Sequence, residues 1–174
     1  DILVTNAGGP PSGAFGEVSD EDWEDAWELT FQSAARLIRQ SLPHLREAPE
    51  GRVVAVTSVS VVRPIDNLDL SNCVRPAVDA LVESLAKQLA SEQVTFNNVA
   101  PGYTLTGRLE QLIRDDADRK GIDYEEALAD WESSVPADRL ADPAEIASLI
   151  AYLASEQAGY ITGQTIAVDG GITI

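Results

Sequence analysis

The stretch Arg52-Val53-Val54-Ala55-Val56-Thr57-Ser58 decides how the rest of this chain is read. Val53 to Val56 is an unbroken apolar run rich in β-branched residues. Without polar alternation it predicts a strand buried on both faces, the kind found in parallel sheets. The strand, Val53–Thr57, closes on a serine, and Gly51 separates it from what precedes. Thirteen residues after Ser58 comes Ser71-Asn72-Cys73-Val74-Arg75. From about Ser71 to Ser91 the apolar spacing predicts an amphipathic helix, with Pro76 in its first turn, where a missing N–H costs little.

The same grammar holds on either side. Ile2–Thr5 reads as a short buried strand, followed by a Gly/Pro loop from Gly8 to Gly16. Ser19 with Asp22 three residues on predicts a capped helix running to about Arg46, with Trp23, Trp27, Phe31, Ala34, Ala35, Ile38 and Leu42 on one stripe. Val94–Val99 is a third strand, broken by Pro101-Gly102. Residues 106–134 are acidic and only weakly helical in pattern, with Gly121 as a break. Asp142-Pro143-Ala144-Glu145 is a strong helix start. Thr165–Val168 is a last strand before Asp169-Gly170-Gly171. Alternating strands and helices predict an α/β fold, a Rossmann-like doubly wound parallel sheet with helices on both faces. No repeat or linker interrupts it, so residues 1–174 read as a single domain.

The charge narrows the partners. Asp and Glu number 29 against 12 Lys and Arg, giving a net charge of −17, and only Lys87 and Lys120 are lysines. Such a surface repels phosphate backbones and anionic lipid, which argues against nucleic-acid or membrane binding. A dense acidic coat poor in lysine resembles halophilic proteins; an ordinary acidic protein is the plainer alternative. One cysteine, Cys73, excludes an intrachain disulfide and fits a reducing, cytoplasmic setting. No apolar run approaches the roughly 18–20 residues of a membrane span. The one histidine, His44, cannot by itself build a metal cluster.

The order of strand, serine, 13-residue step and helix resembles the catalytic segment of the short-chain dehydrogenase/reductase family, in the style of 3-oxoacyl-carrier-protein reductase homologues. Three other segments support the resemblance. Thr5-Asn6-Ala7-Gly8 is similar to the family's Asn-Asn-Ala-Gly element, which lies along the cofactor. Pro101-Gly102-Tyr103-Thr104-Leu105-Thr106 is similar to its Pro-Gly turn. Ile161-Thr162-Gly163-Gln164-Thr165-Ile166-Ala167-Val168-Asp169-Gly170-Gly171 matches its closing strand and glycine turn. The resemblance covers only the C-terminal two-thirds of the family's pattern; the glycine-rich phosphate loop belongs to the N-terminal third. These residues alone are therefore expected to bind dinucleotide poorly, and the choice of NAD or NADP is not legible.

The resemblance implies roles residue by residue. Asn6, Ala7, Gly8, Pro101, Gly102, Thr104 and Thr106 fall on cofactor-binding positions. Ser58 falls on the serine that polarises the substrate carbonyl, although Thr57 and Ser60 make this a generally hydroxyl-rich strand end. Thr30 aligns with an asparagine that holds a relay water, or is simply a neutral helix residue. Ser71 and Arg75 fall where the family carries Tyr and Lys. A serine hydroxyl is far more basic than a phenol and poorly suited to giving up a proton. Arg75 keeps charge and donors for ribose binding but does not shuttle protons. No tyrosine has Lys four residues later; Tyr103 is the remote substitute, more plainly a wall residue. Gly9-x-x-x-Gly13-x-x-Gly16 imitates a phosphate loop, but Pro10 and Pro11 interrupt it and the helix starts too late.

Two functions follow. One is an NAD(P)-dependent oxidoreductase acting on a 3-oxoacyl or small ketone substrate with a remodelled acid site. The other is a non-catalytic relative that binds a nucleotide or its own copies. The apolar stripes and the last strand predict a homodimer or tetramer.

Overall fold

The computed structural model describes all 174 residues. Four parallel strands form one sheet in the order β1 (Ile2–Asn6), β2 (Gly51–Val56), β3 (Val94–Pro101) and β4 (Thr165–Val168). Helices α1 (Asp20–Trp27) and α2 (Ser33–Glu47) join β1 to β2, and α3 (Asp69–Leu89) joins β2 to β3. Helices α4 (Gly107–Lys120), α5 (Tyr124–Ser133) and α6 (Pro143–Leu153) lie between β3 and β4. Because every strand runs the same way, all four carboxyl ends share one edge, where ligands bind in sheets of this class.

Alternation along the strands sets the layers. Val53, Ala55, Val94 and Phe96 pack on Ile38 and Leu45 of α2 and on Val78 and Val82 of α3. The intervening Val54 and Val99 face the other way, onto Ile146 and Leu153 of α6. Helices therefore cover both faces, as the β2 run requires. A separate cluster joins α4 and α5 through Leu109, Ile113 and Ala127, with Tyr103 and Trp131 against it. It stands beyond the carboxyl edge.

Several expectations need correction. β1 is not a buried strand: Ile2 is 56% and Val4 42% exposed. It is an edge strand, and no helix packs on the face these two share. Gly51 does not precede β2 but begins it, where a β-carbon would lie 2.7 Å from the Leu45 carbonyl oxygen at the end of α2. The predicted helix to Arg46 carries a π-helical turn, Glu28–Gln32, into which Ser33, the first residue of α2, donates its Oγ–H to the Leu29 carbonyl. Such turns are frequent at functional sites. α3 begins at Asp69, so Pro76 sits inside the helix rather than in its first turn. Residues 106–134 hold two full helices, capped by Thr106 and Asp123 and divided at Gly121. Their acidic exterior hid the narrow apolar seam between them.

Other local readings stand. Ser19 and Asp22 form a reciprocal capping box, as do Asp142 and Glu145. The Gly9–Gly16 loop does not run into the helix that follows it in sequence; Gly13 pairs with the Asn67–Asp69 backbone, where the loop's carbonyl and the Phe15 N–H meet Asp69 at the start of α3.

Candidate active site

A cavity of about 410 Å³ opens at the carboxyl ends of the strands. Of the residues predicted for the site, Asn6, Ser58, Ser71, Arg75, Pro101, Gly102, Thr104 and Thr106 line it. A second cavity of about 190 Å³ lies behind Arg75 and is lined by Ala7 and Thr30, with Asn6 and Arg75 bordering both. Gly8 borders neither.

Arg75 is the centre of the arrangement. It is only 8% exposed. Its Nε donates to Ser71 Oγ at 2.9 Å, one helical turn earlier, and its Nη1 donates to the Thr57 carbonyl at 2.7 Å. Nη2 has no partner in the chain. Burial, and then the neighbouring Arg108 charge, pull its pKa below the usual guanidinium value. The guanidinium remains a charged donor at neutral pH.

The serines are presented as donors. Ser58 ends β2 and starts a short 3₁₀ turn, its oxygen accepting from Ser60 N–H at 3.2 Å. Ser71 Oγ accepts from Arg75. Neither hydroxyl proton has an acceptor in the protein, so both are free for a ligand oxygen. Thr57 Oγ1 donates to Asn98 Oδ1 at 2.9 Å, Asn98 donates to Asp79 at 2.8 Å, and Thr165 donates to the same carboxylate. This buried network ties the end of β2 to β3, β4 and α3. Thr30 Oγ1 is buried in the π turn with no partner, facing the second cavity. An orphaned hydroxyl beside such a space suits a bound water.

The opposite wall is built by backbone. Gly102 N–H donates to the Val168 carbonyl at 2.9 Å, and a β-carbon on Gly102 would lie 2.7 Å from Asp169 Cα. Only glycine allows that approach. Asp169 accepts from Gly171 N–H, Thr173 N–H and Thr173 Oγ1, at 3.0, 2.9 and 2.7 Å. Burial raises its pKa, but these donors outweigh burial and hold it below the ordinary carboxylate value. Thr104 Oγ1 donates to the Gly102 carbonyl at 3.1 Å, and Thr106 caps α4.

Tyr103 leans on Trp131 with ring centroids 4.7 Å apart; burial and then Asp66 raise its pKa, the reverse of what an activated acid needs. His44 and Cys73 are exposed, and no three His, Cys, Asp or Glu side chains are clustered as metal ligands. Sequence reasoning missed Arg108, which lines the cavity and donates to the Pro10 carbonyl at 2.6 Å. A signal was available: a cation in the first turn of α4, at the positive end of the helix dipole, in a chain poor in cations. The apolar liners Leu68, Leu112 and Trp131 come from segments without a motif.

The cavity has the position and donors that a ligand with several oxygens could use. It is concave, lies at the strand ends, and offers the free donor of Arg75 and the close-packed backbone at Gly102.

Comparison with known proteins agrees. The family described as enoyl-(acyl carrier protein) reductase matches residues 1–173. The chain is 36% identical to the 3-oxoacyl-[acyl-carrier-protein] reductase FabG of Vibrio cholerae over 99% of its length, spanning 66% of that protein. A crystal structure of a short chain dehydrogenase family protein from Francisella tularensis superposes with a TM-score of 0.95, at 29% identity, covering 99% of this chain and 71% of that one. An NADPH-bound short chain oxidoreductase from Pseudomonas aeruginosa, described as containing an atypical catalytic center, has a TM-score of 0.85 and 31% identity, covering 98% of this chain and 65% of that one. The fold, the cavity and these likenesses together place the chain in the short-chain dehydrogenase/reductase family.

Proposed function

We propose that the cavity interconverts a carbonyl and an alcohol with NAD or NADP, on a 3-oxoacyl or small ketone substrate. A bound nicotinamide supplies or accepts the hydride. Asn6, Pro101, Gly102, Thr104 and Thr106 would hold it, with Arg75 on its ribose; Gly8, expected there too, borders neither cavity, and Ala7 lines only the second. In reduction, the Ser58 hydroxyl donates a hydrogen bond to the carbonyl oxygen and stabilises the negative charge that develops there. The Ser71 hydroxyl, its oxygen already accepting from Arg75, gives its proton to the same oxygen and is reprotonated from solvent. Water beside Thr30 is a route for that proton, since Arg75 does not release one.

The observation that carries this reading is the placement of Arg75 between the two serines, bonded to Ser71 Oγ and to the carbonyl next to Ser58. A guanidinium there polarises Ser71 and partly compensates for the missing phenol. The serine remains a poor acid, so slow turnover limited by protonation is expected.

The replaced Tyr and Lys favour a second reading, a relative that binds nucleotide or its own copies without chemistry. Trp27, Leu29 and Leu37 are exposed apolar residues around the π turn and α2, which suits a homodimer or tetramer. Calorimetric titration of NADPH and NADH into protein that also carries the N-terminal third of the family's pattern, followed by ketone-dependent cofactor oxidation, separates the two; no binding of either cofactor would overturn both. Binding with ketone turnover supports the reductase; binding without turnover on any carbonyl supports the second reading.

A further inference from the structure

Granted the reading of Arg75 as the group that polarises Ser71 and binds the nicotinamide ribose, we infer that Asn98 and Asp79 are the residues that position it. Neither lines either cavity. They act through Thr57, in a ring of hydrogen bonds that leaves α3 at Arg75 and returns to it one turn later at Asp79.

The ring closes through four residues. Arg75 Nη1 donates to the Thr57 carbonyl at 2.7 Å, Thr57 Oγ1 donates to Asn98 Oδ1 at 2.9 Å, and Asn98 Nδ2 donates to Asp79 Oδ1 at 2.8 Å. Ser71, Arg75 and Asp79 follow at four-residue steps along one face of α3. Asn98 is fully buried in β3, in register with Ala55 of β2 and Thr165 of β4. Thr165 donates to the same Asp79 oxygen and ties the ring to β4. A carboxamide suits the middle place, because one end accepts from a hydroxyl while the other donates to a carboxylate.

Thr57 is thereby held at three atoms. Its N–H donates to the Val99 carbonyl at 2.9 Å, its hydroxyl is taken by Asn98, and its carbonyl receives Arg75. Without Asn98, the buried hydroxyl keeps only the Val99 carbonyl, 3.5 Å away and already accepting the Thr57 N–H. Competition for that oxygen shifts the end of β2, and the Thr57 carbonyl with it. Arg75 then loses one of its two bonds within the chain, and its free Nη2 no longer has a fixed direction. Ser58, the next residue, moves as well. A polarising group slightly out of place is costly in rate. The ring works by geometry rather than by the Asp79 charge. No cation lies within ion-pairing distance of Asp79, and both of its bonds reach the same oxygen. An amide at position 79 keeps those bonds; an alkyl group does not.

The test reads Arg75 directly and needs no cofactor. Its Nε–H, assigned by its loss in Arg75→Lys, is followed by hydrogen exchange in NMR of isotopically labelled protein. The backbone amides of the buried residues Val53 and Ile38 serve as references. In Asn98→Ala and Asp79→Leu the Nε–H should accelerate about tenfold or more beyond any change in the reference amides, the worth of one hydrogen bond. Thr57→Val keeps the shape and the carbonyl but not the hydroxyl; it should do the same, and it carries the test if Asn98→Ala does not fold. Asp79→Asn should stay near wild type. An Nε–H that is unmoved, or that accelerates only as much as the reference amides, overturns the inference. So does one as fast in Asp79→Asn as in Asp79→Leu. In protein that also carries the N-terminal third of the family's pattern, Asn98→Ala should weaken NADPH binding about tenfold, and unchanged affinity and kcat with a released Arg75 would overturn the inference too. No NADPH binding by the wild type would sink only the reading on which it rests, since the exchange measurement stands without cofactor.

Discussion

The two walls of the cavity are built by different means. The β2–α3 wall carries its chemistry on side chains, Ser58, Ser71 and Arg75, with Arg75 donating to Ser71 Oγ at 2.9 Å and to the Thr57 carbonyl beside Ser58 at 2.7 Å. The β3–β4 wall is shaped by backbone, with Gly102 pressed on Asp169 and a glycine turn held by that carboxylate. The first wall departs from the family's Tyr and Lys while keeping the family's frame. The second keeps the Pro-Gly turn and the Asp-Gly-Gly ending. Side-chain chemistry can be exchanged where the backbone does not depend on it; a close backbone approach leaves no room for exchange.

Substitutions should therefore separate rate from stability. Ser58→Ala should lower any carbonyl reduction about 10²–10³-fold, as for loss of a developing-oxyanion donor, with little change in melting. Steady-state rates with NADPH and a ketone check it; an unaffected rate would move the chemistry elsewhere, with Tyr103 the next residue to test. On the other wall, Gly102→Ala should cost about 1–3 kcal/mol by overpacking, read in denaturant unfolding. Gly8→Ala is the matched control, since a β-carbon there meets nothing within 4 Å, and it should stay within about 0.5 kcal/mol. Equal costs at the two glycines would remove the contrast.

Acid should act on the carboxylates that organise helix ends and turns. Glu145, bonded by Arg139 and the Asp142 N–H, has its pKa lowered from 4.5 to about 2. The folded carboxyl binds its proton less readily than the unfolded one. Its contribution is therefore complete above about pH 4.5 and is lost as pH falls toward 2. Asp169 has the same sign. Glu145→Gln should flatten the stability curve in that window, and an unchanged acid limb would refute the assignment. The smallest effect expected is from salt. With a net charge of −17, melting temperature should rise from low to molar KCl as the Debye length falls to about 3 Å. A flat profile would remove the halophile-like reading.

Much of this was legible in the chain. The β2 run announces burial on both faces, and Val53 and Val54 do face opposite layers. The capping residues Ser19 and Asp142 mark helix starts to the residue. The π turn at Thr30 was not legible, because its residues also suit an ordinary helix. Nor was exposure of Ile2 and Val4, since an apolar run does not say whether a strand lies at an edge. Ser71 and Arg75 were placed by spacing; their mutual bond follows from their separation by four positions on a helix. The convergence of Arg75 with Arg108 is tertiary, and only the odd placement of a cation at a helix start hinted at it.

The family's frame here surrounds a poor acid, a serine where the family carries tyrosine. Replacing Ser71 by Tyr and Arg75 by Lys together tests it, because Ser71 lines the cavity and a phenol can extend into that space. The measurement is kcat for NADPH-dependent reduction of a 3-oxoacyl or small ketone substrate, by protein that also carries the family's N-terminal phosphate loop. If protonation limits the rate, the double variant should raise kcat by about 10²-fold or more, the usual worth of a general acid. A kcat unchanged or lowered in a variant that folds and binds NADPH as before would contradict the account.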